Sequence, residues 1–172
     1  LKQYLYVFEE NKIPSTTKKY GNFSLINEVF QRCYLNDKNT KTYFNSIINV
    51  NDREDYSRYI FFYINYLIEN NKYDEAKKIT NNLDYLISPL LISQGKKWIE
   101  DKESNKLKKI FSCRNSEHII SEFFFLVANL YSSQNDYEQS NFYLNISHYL
   151  NPKFKFNLSL LAENYYLKKD YL

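Results

Sequence analysis

Apolar side chains recur with helical spacing along most of this chain. One stretch contains Phe124, Val127, Ala128 and Tyr131. These residues stand at positions i, i+3, i+4 and i+7, which lie on a single face of a helix. The polar turn Gln134-Asn135-Asp136 follows it, and a second apolar stretch begins directly afterwards. The chain has only two glycines and three prolines, too few for the many turns of a β-rich fold. The pattern therefore predicts an all-α protein made of antiparallel helical hairpins.

This pattern repeats at a fixed offset. The same four positions and Tyr137 recur 34 residues later (171 − 137 = 34), as Leu158, Leu161, Ala162, Tyr165 and Tyr171. A third copy lies upstream and consists of Ile60, Tyr63, Ile64, Leu67, Tyr73 and Ala76. A weaker copy consists of Leu91, Gln94, Gly95 and Trp98, with Ser104 where the tyrosine of the second helix is expected. A period of this length is typical of stacked helical repeats.

Small side chains occupy the positions at which two helices of a hairpin approach each other. The chain has three alanines in all, and each falls on such a position: Ala76, Ala128 and Ala162. Gly95 takes the same position in the weaker copy. Because the chain is otherwise rich in Asn, Lys, Ile, Tyr and Phe, the placement of its few alanines is a strong indication of close helix packing.

These features together resemble the tetratricopeptide repeat family, whose repeat-closing proline has counterparts in Pro89 and Pro152. More loosely, the chain resembles uncharacterised tetratricopeptide proteins of alphaproteobacteria. The resemblance implies a right-handed α-solenoid of about four or five hairpins. It also implies that packing between helices depends on Ile64, Tyr73, Ala76, Gly95, Trp98, Ala128, Tyr131, Tyr137, Ala162, Tyr165 and Tyr171.

The repeats predict one continuous solenoid with a clear and a degenerate part. Residues 57–172 contain the clear repeats, and the last of them is truncated just after the tyrosine that begins its second helix. Residues 1–56 are expected to form degenerate hairpins, with helical faces in Ser24–Leu35 and Thr42–Val50 and a loop near residues 11–22. We expect the chain to be a fragment of a longer protein, because the last repeat lacks its second helix.

The resemblance also indicates where a partner would bind. In the family, the first helices of successive repeats line a concave groove, and the residue after the small position points into it. Carried over residue by residue, the predicted groove consists of Arg58, Phe61, Asn65, Ile92, Lys96, Phe125, Asn129, Ser159 and Glu163.

Two pairs within this predicted groove suit a peptide segment of a partner protein. Phe61 with Asn65, and Phe125 with Asn129, each combine an apolar surface with an amide that both donates and accepts hydrogen bonds. The phenylalanines replace the lysine with which the best-known subclass of the family grips a C-terminal carboxylate, so no such clamp is predicted. Two other interpretations stay open: the asparagines follow from an Asn-rich composition, or the phenylalanines pack against neighbouring helices.

The charge balance does not require a nucleic acid or an anionic membrane. The net charge is +3, from 23 basic and 20 acidic residues. Lys77-Lys78 and Lys108-Lys109 occupy equivalent places on predicted second helices, where a solvated outer face is favoured over a phosphate-binding stripe.

Candidate catalytic and metal-binding groups are sparse. The only glycines are Gly21 and Gly95, so the chain has no glycine-rich phosphate loop. His118 and Glu122 lie four residues apart on a predicted helix and supply only half of a metal site. No catalytic residue, metal site or cofactor is therefore predicted, and the protein is not expected to be an enzyme.

The chain has two cysteines, Cys33 and Cys113, which come from widely separated repeats. Because distant repeats of a solenoid do not touch, two free thiols are predicted. The sequence leaves the cellular compartment open, and it contains no evident membrane span.

The function predicted from these observations is a non-enzymatic protein- or peptide-binding scaffold that uses the concave groove. One alternative is an RNA-binding helical-repeat protein, although the modest charge makes nucleic acid the less favoured partner. Another is a structural segment that associates with copies of itself through the ends of the solenoid.

Overall fold

A computed structural model describes residues 1–15, 21–48, 57–82 and 90–168, and these residues form ten α-helices without any strand. The helices are α1 (Lys2–Glu10), α2 (Gly21–Tyr34), α3 (Thr40–Ile48), α4 (Ser57–Glu69), α5 (Tyr73–Asn82), α6 (Leu90–Glu100), α7 (Asn105–Ile110), α8 (Ser116–Ser132), α9 (Tyr137–Leu150) and α10 (Asn157–Lys168). The predicted all-α class is confirmed for this part of the chain. Pro89 and Tyr171 lie outside the described residues.

Polar side chains fix the ends of the two longest C-terminal helices. At the start of α8, the Asn115 side chain accepts hydrogen bonds from the backbone N–H groups of Glu117 and His118, at 2.8 and 3.2 Å. At the start of α9, Asp136 accepts one from Gln139 at 3.2 Å. Such caps stabilise a helix by about 1 kcal/mol each, because the first turn has backbone donors without helical partners. The cap at Asp136 lies in the polar turn Gln134-Asn135-Asp136, where the sequence predicts a turn between two helices.

Several turns between helices contain an asparagine in the left-handed backbone conformation, which asparagine tolerates better than most residues. These residues are Asn36, Asn71 and Asn135, with φ angles of 54°, 58° and 61°. The asparagine-rich composition thus has a structural use in sharp turns between antiparallel helices.

Helices that follow each other in sequence pack side by side. The α8–α9 pair is the most extensive, and the α2–α3, α4–α5 and α9–α10 pairs have the same neighbour relation. Helix α4 lies at the centre of its region, in contact with α3, α5, α6 and α7. Helices joined by a short turn therefore pack against each other at α4–α5 and α8–α9.

The chain also makes a contact that a stretched stack of repeats does not provide. Helix α2 packs against α8, and a disulfide joins Cys33 to Cys113 across a sequence separation of 80, with a Cα–Cα distance of 5.7 Å. The prediction of two free thiols is therefore wrong. It failed because it assumed that distant hairpins stay apart, whereas α2 and the segment before α8 meet.

Aromatic rings fill the space where these distant segments converge. The ring of Phe62 on α4 lies 4.0 Å from that of Phe111, 5.4 Å from that of Phe154 and 5.5 Å from that of Phe30, centroid to centroid. All four side chains are at most 1% exposed. Each phenylalanine removes on the order of 150–250 Å² from water, so this cluster supplies much of the core that holds α2, α4 and the loops before α8 and α10 together.

The small residues divide into three that are buried and one that is not. Ala76 and Ala128 are fully buried, and Gly95 is buried against Phe61 and Leu107. Ala162, on α10, is exposed. The first three are therefore enclosed by the fold, while the residue at the same repeat position on α10 is open to solvent.

The aromatic positions of the repeat pattern show the same variation. Ile64 is fully buried, and three aromatic residues are half-buried: Trp98, Tyr131 and Tyr137. Tyr73 and Tyr165 remain 43% and 44% exposed. Sequence equivalence therefore does not place these rings in equivalent surroundings.

Candidate functional site

The upstream part of the predicted groove is buried. Phe61, Asn65 and Ile92 are 0%, 1% and 3% exposed. They do not line an open groove, which corrects their predicted orientation. The reason is that α4 has neighbours all around it, so every residue from 61 to 68 is buried. For Phe61 the alternative interpretation, packing against neighbouring helices, describes the observed position.

Arg58, predicted to attract an acidic partner, is engaged within the protein. Its Nε donates to Glu122 Oε1 at 2.7 Å, and its Nη2 donates to Glu122 Oε2 and to Asn157 Oδ1, both at 2.5 Å. The guanidinium carbon lies 3.6 Å from the ring centroid of Phe125 and 4.5 Å from that of Phe154. This arrangement joins α4 to α8 and α10, so Arg58 stabilises the fold and is not presented to a partner.

Glu122 and His118, which the sequence offered as two ligands of a possible metal site, both have partners within the fold. The Glu122 side chain is 2% exposed, and burial raises the pKa of its carboxyl while the charge and hydrogen bonds of Arg58 act in the opposite direction. His118 Nδ1 accepts a hydrogen bond from the backbone N–H of Ser112 at 2.9 Å, and burial lowers its pKa. Within the described residues, no group of three or more His, Cys, Asp or Glu side chains is arranged to hold a metal ion.

Two further groove positions are partly covered. The Lys96 side chain is 11% exposed, with its Nζ 3.8 Å from Glu100 Oε1 on the same helix. Phe125 is half-buried beneath the guanidinium of Arg58. Neither residue therefore offers the open surface that the repeat pattern predicted.

The downstream part of the predicted groove is open. Asn129 on α8 and Ser159 and Glu163 on α10 are all exposed. Asn129 and Glu163 occupy equivalent repeat positions 34 residues apart (163 − 129 = 34), on two helices that contact each other. The Ser159 hydroxyl donates to the backbone carbonyl of Phe156 at 2.6 Å. The structure thus separates the predicted groove into a buried part on α4 and α6 and an exposed part on α8 and α10.

Helices α8–α10 also carry most of the large apolar side chains that are exposed in the described residues. Their exposed fractions range from 36% to 84%, and the residues are Leu130, Phe142, Tyr149, Leu158, Tyr165, Tyr166 and Leu167. Four of the seven lie on α10, a helix of 12 residues, which makes that helix unusually apolar on its solvent side. The sequence analysis did not predict the exposure of Phe142, Tyr149, Tyr166 and Leu167. These residues fall between the packing positions of their helices, and that spacing could have indicated an exposed location.

The lysine pairs border a different surface. Lys77, Lys78 and Lys109 are exposed and Lys108 is half-buried. A cleft of about 380 Å³ between α5 and the α6–α7 segment is lined by Tyr73, Asp74, Lys77, Ile99, Lys102 and Ser104. Its charged lining residues are one aspartate and two lysines.

No helix in the described ranges is long and apolar enough to cross a membrane. Comparison of the chain with protein families, with curated proteins and with solved structures found no significant match. The similarity to tetratricopeptide repeats is therefore a similarity of sequence pattern alone.

Proposed function

We propose that this chain is a non-enzymatic protein-binding module whose binding surface lies on α8–α10. The observation that carries the proposal is the concentration of exposed aromatic and leucine side chains on these three helices. Exposed apolar surface of this kind is typical of protein interaction sites, and tyrosine is enriched in them because its ring is apolar and its hydroxyl is polar.

The open part of the predicted groove supports the same surface. Asn129 and Glu163 provide an amide and a carboxylate beside the apolar residues of α8 and α10, which suits recognition of a peptide backbone or a basic side chain. The right-handed solenoid and the tetratricopeptide-like stacking are part of this proposal, with the α4–α5 and α8–α9 hairpins as their support.

The charge of this region favours a protein over a nucleic acid. Residues 116–168 contain three lysines and five acidic residues, of which Glu122 is buried and paired with Arg58, so the exposed groups carry a net charge of −1 (3 − 4 = −1, with histidines neutral). Nucleic-acid binding depends on the neutralisation of phosphates by clustered Lys and Arg. An aromatic surface of nearly balanced charge does not supply that chemistry.

The proposal is tested by affinity capture from a native lysate with the wild-type chain and with Asn129→Ala/Glu163→Ala. Both side chains are exposed, so we expect the variant to keep its helical content, checked by circular dichroism. A protein recovered by the wild type and lost by the variant supports the proposal. The matched control is Lys77→Ala/Lys78→Ala, which changes two exposed residues on α5 and should recover the same protein. Equal recovery by both variants, or recovery of nuclease-sensitive material, would contradict the proposal.

A further inference from the structure

Helix α10 is attached to the rest of the protein through polar side chains. The two buried residues of this helix are both asparagines, Asn157 at 1% and Asn164 at 0% exposure. They lie seven residues apart (164 − 157 = 7), which is close to two helical turns, so both are on the same side of the helix. The deepest contacts of α10 therefore consist of groups that form directional hydrogen bonds.

Asn164 anchors the second half of α10. Its Nδ2 donates to Ser140 Oγ at 2.7 Å and to Asn141 Oδ1 at 2.8 Å, both on α9. Its Oδ1 accepts a hydrogen bond from Ser132 Oγ, at the end of α8, at 2.6 Å. The amide uses both of its donor hydrogens in this way, and these bonds form together only where α8, α9 and α10 meet in this arrangement.

Asn157 anchors the first turn of α10 and extends the contact to α4. Its Nδ2 donates to Ser147 Oγ on α9 at 2.6 Å, and its Oδ1 accepts from Arg58 Nη2 on α4 at 2.5 Å. Ser147 Oγ donates in turn to the backbone carbonyl of Ser121 on α8 at 2.7 Å. The guanidinium of Arg58 also binds both carboxylate oxygens of Glu122 on α8. We refer to Arg58, Glu122, Ser147 and Asn157 as the Arg58 network, which joins four helices.

Apolar burial alone would favour a different orientation of α10. Leu158 and Tyr165 directly follow the two asparagines and lie roughly 100° further around the helix. They are 36% and 44% exposed, so a rotation that turned them inward would remove apolar surface from water. The same rotation would withdraw Asn157 and Asn164 from their partners on α4, α8 and α9. The polar contacts oppose it, because leaving buried polar groups unpaired is unfavourable.

We propose that Arg58 and Asn157 are positioning residues of the binding surface on α8–α10: the Arg58 network holds α10 in the orientation that keeps Leu158 and Tyr165 on its outer side. Buried polar groups can specify one register, because their bonds form in one arrangement only. The position of α10 is thereby determined from α4, a helix outside the proposed surface. This inference rests on the proposed function and deepens it by naming the contacts that order its surface.

Asn157→Leu tests the network from the side of α10. It replaces the amide by an apolar group of similar volume and leaves the Arg58–Glu122 pair in place. We expect amide hydrogen exchange, followed by mass spectrometry, to become at least about tenfold faster in residues 157–168 and to stay within about twofold of the wild type in residues 59–68 of α4. The matched control is Asn81→Leu, the same substitution at an exposed position of α5, which should leave exchange in both segments unchanged.

A double substitution separates positioning from stability. Arg58→Met/Glu122→Leu removes the buried ion pair at similar side-chain volume, a replacement that is often neutral for stability. We expect a melting temperature close to that of the wild type, together with faster exchange in residues 157–168, because Asn157 Oδ1 has lost its donor. An ion pair with only a structural role would give both the wild-type melting temperature and wild-type exchange in α10.

Affinity capture connects the position of α10 to binding. Asn157→Leu should recover at least about tenfold less of the captured protein than the wild type, whereas Asn81→Leu should recover the same amount. Full recovery by Asn157→Leu despite faster exchange in α10 would overturn the inference, because the position of α10 would then not matter for binding.

The inference and the proposed function fail in different experiments. Unchanged exchange in residues 157–168 of Asn157→Leu, or equal acceleration in α4 and α10, would show that the Arg58 network does not position α10. If the wild type captures no protein that Asn129→Ala/Glu163→Ala loses, the proposed function fails. The exchange measurements then still decide whether the network holds α10 in place.

Discussion

Helices α4 and α8 carry the same apolar pattern, with Phe61 and Asn65 on one and Phe125 and Asn129 on the other, yet their surroundings differ. Helix α4 is enclosed by α3, α5, α6 and α7, and both of its paired residues are at most 1% exposed. On α8 the phenylalanine is half-buried and the asparagine is exposed. The difference shows that the surroundings of a repeat position depend on the helices packed around it, and of these two helices only α8 leaves its asparagine exposed.

The largest effect should come from truncating the two phenylalanines. Phe61→Ala should lower the free energy of unfolding by about 3–5 kcal/mol, because it removes a fully buried ring and leaves a cavity. Phe125→Ala should lower it by only about 1–2 kcal/mol, from partial burial and the lost contact with the Arg58 guanidinium. Urea unfolding followed by circular dichroism measures both. Equal losses would show that the two helices are enclosed to the same degree.

The two asparagines should respond in opposite ways to replacement by leucine. Among the residues that the structure describes, neither side-chain polar atom of Asn65 has a hydrogen-bond partner, although the residue is buried. Asn65→Leu removes these unpaired groups at similar volume and should stabilise the protein by about 1–2 kcal/mol. Asn129→Leu, at an exposed site, should change stability by less than about 0.5 kcal/mol. Chemical unfolding of the two variants measures both changes in stability. A lower free energy of unfolding for Asn65→Leu would mean that the buried amide has a bound partner.

The sequence predicts local features of this fold but not the contacts between distant segments. The helices and the turn at Gln134-Asn135-Asp136 followed from spacing and from capping chemistry, both of which are local. The exposure of α4 and α8 did not follow, because both contain long apolar runs, such as 59–64 and 123–128, that look alike. Only the number of neighbouring helices distinguishes them. The Cys33–Cys113 contact is likewise non-local and left no signal in the spacing of the repeats.

The smallest effect is a dependence of stability on pH at the end of α4. Burial raises the pKa of Glu69 above its usual value of 4.5, against weaker opposing effects of Ser112, Arg114 and Lys108. The folded protein therefore holds this proton more tightly than the unfolded chain, so stability should fall as the pH rises from about 4 through the folded pKa. The corresponding residue directly after α8 is the exposed Ser133, whose hydroxyl does not titrate in this range.

Unfolding free energies measured from pH 4 to pH 7 test this expectation. Glu69→Gln should lack the part of the decrease that Glu69 contributes, because the glutamine does not ionise. Glu163→Gln, which changes an exposed acidic residue on α10, should retain the wild-type profile. The same profile for Glu69→Gln and the wild type would place Glu69 in surroundings as solvated as those of Glu163.

The bond between Cys33 and Cys113 also determines how the molecule transmits force. A tension applied between α1 and α10 passes directly from α2 to the segment before α8 through the two sulfur atoms, so the chain between the cysteines, whose sequence separation is 80, carries none of it. Helices α3–α7 lie in that part of the chain and are shielded from stretching. A reductant that opens the bond would release on the order of 270 Å of extended chain. Tension therefore reaches the central part of the protein, with its enclosed α4, only after the disulfide has been reduced.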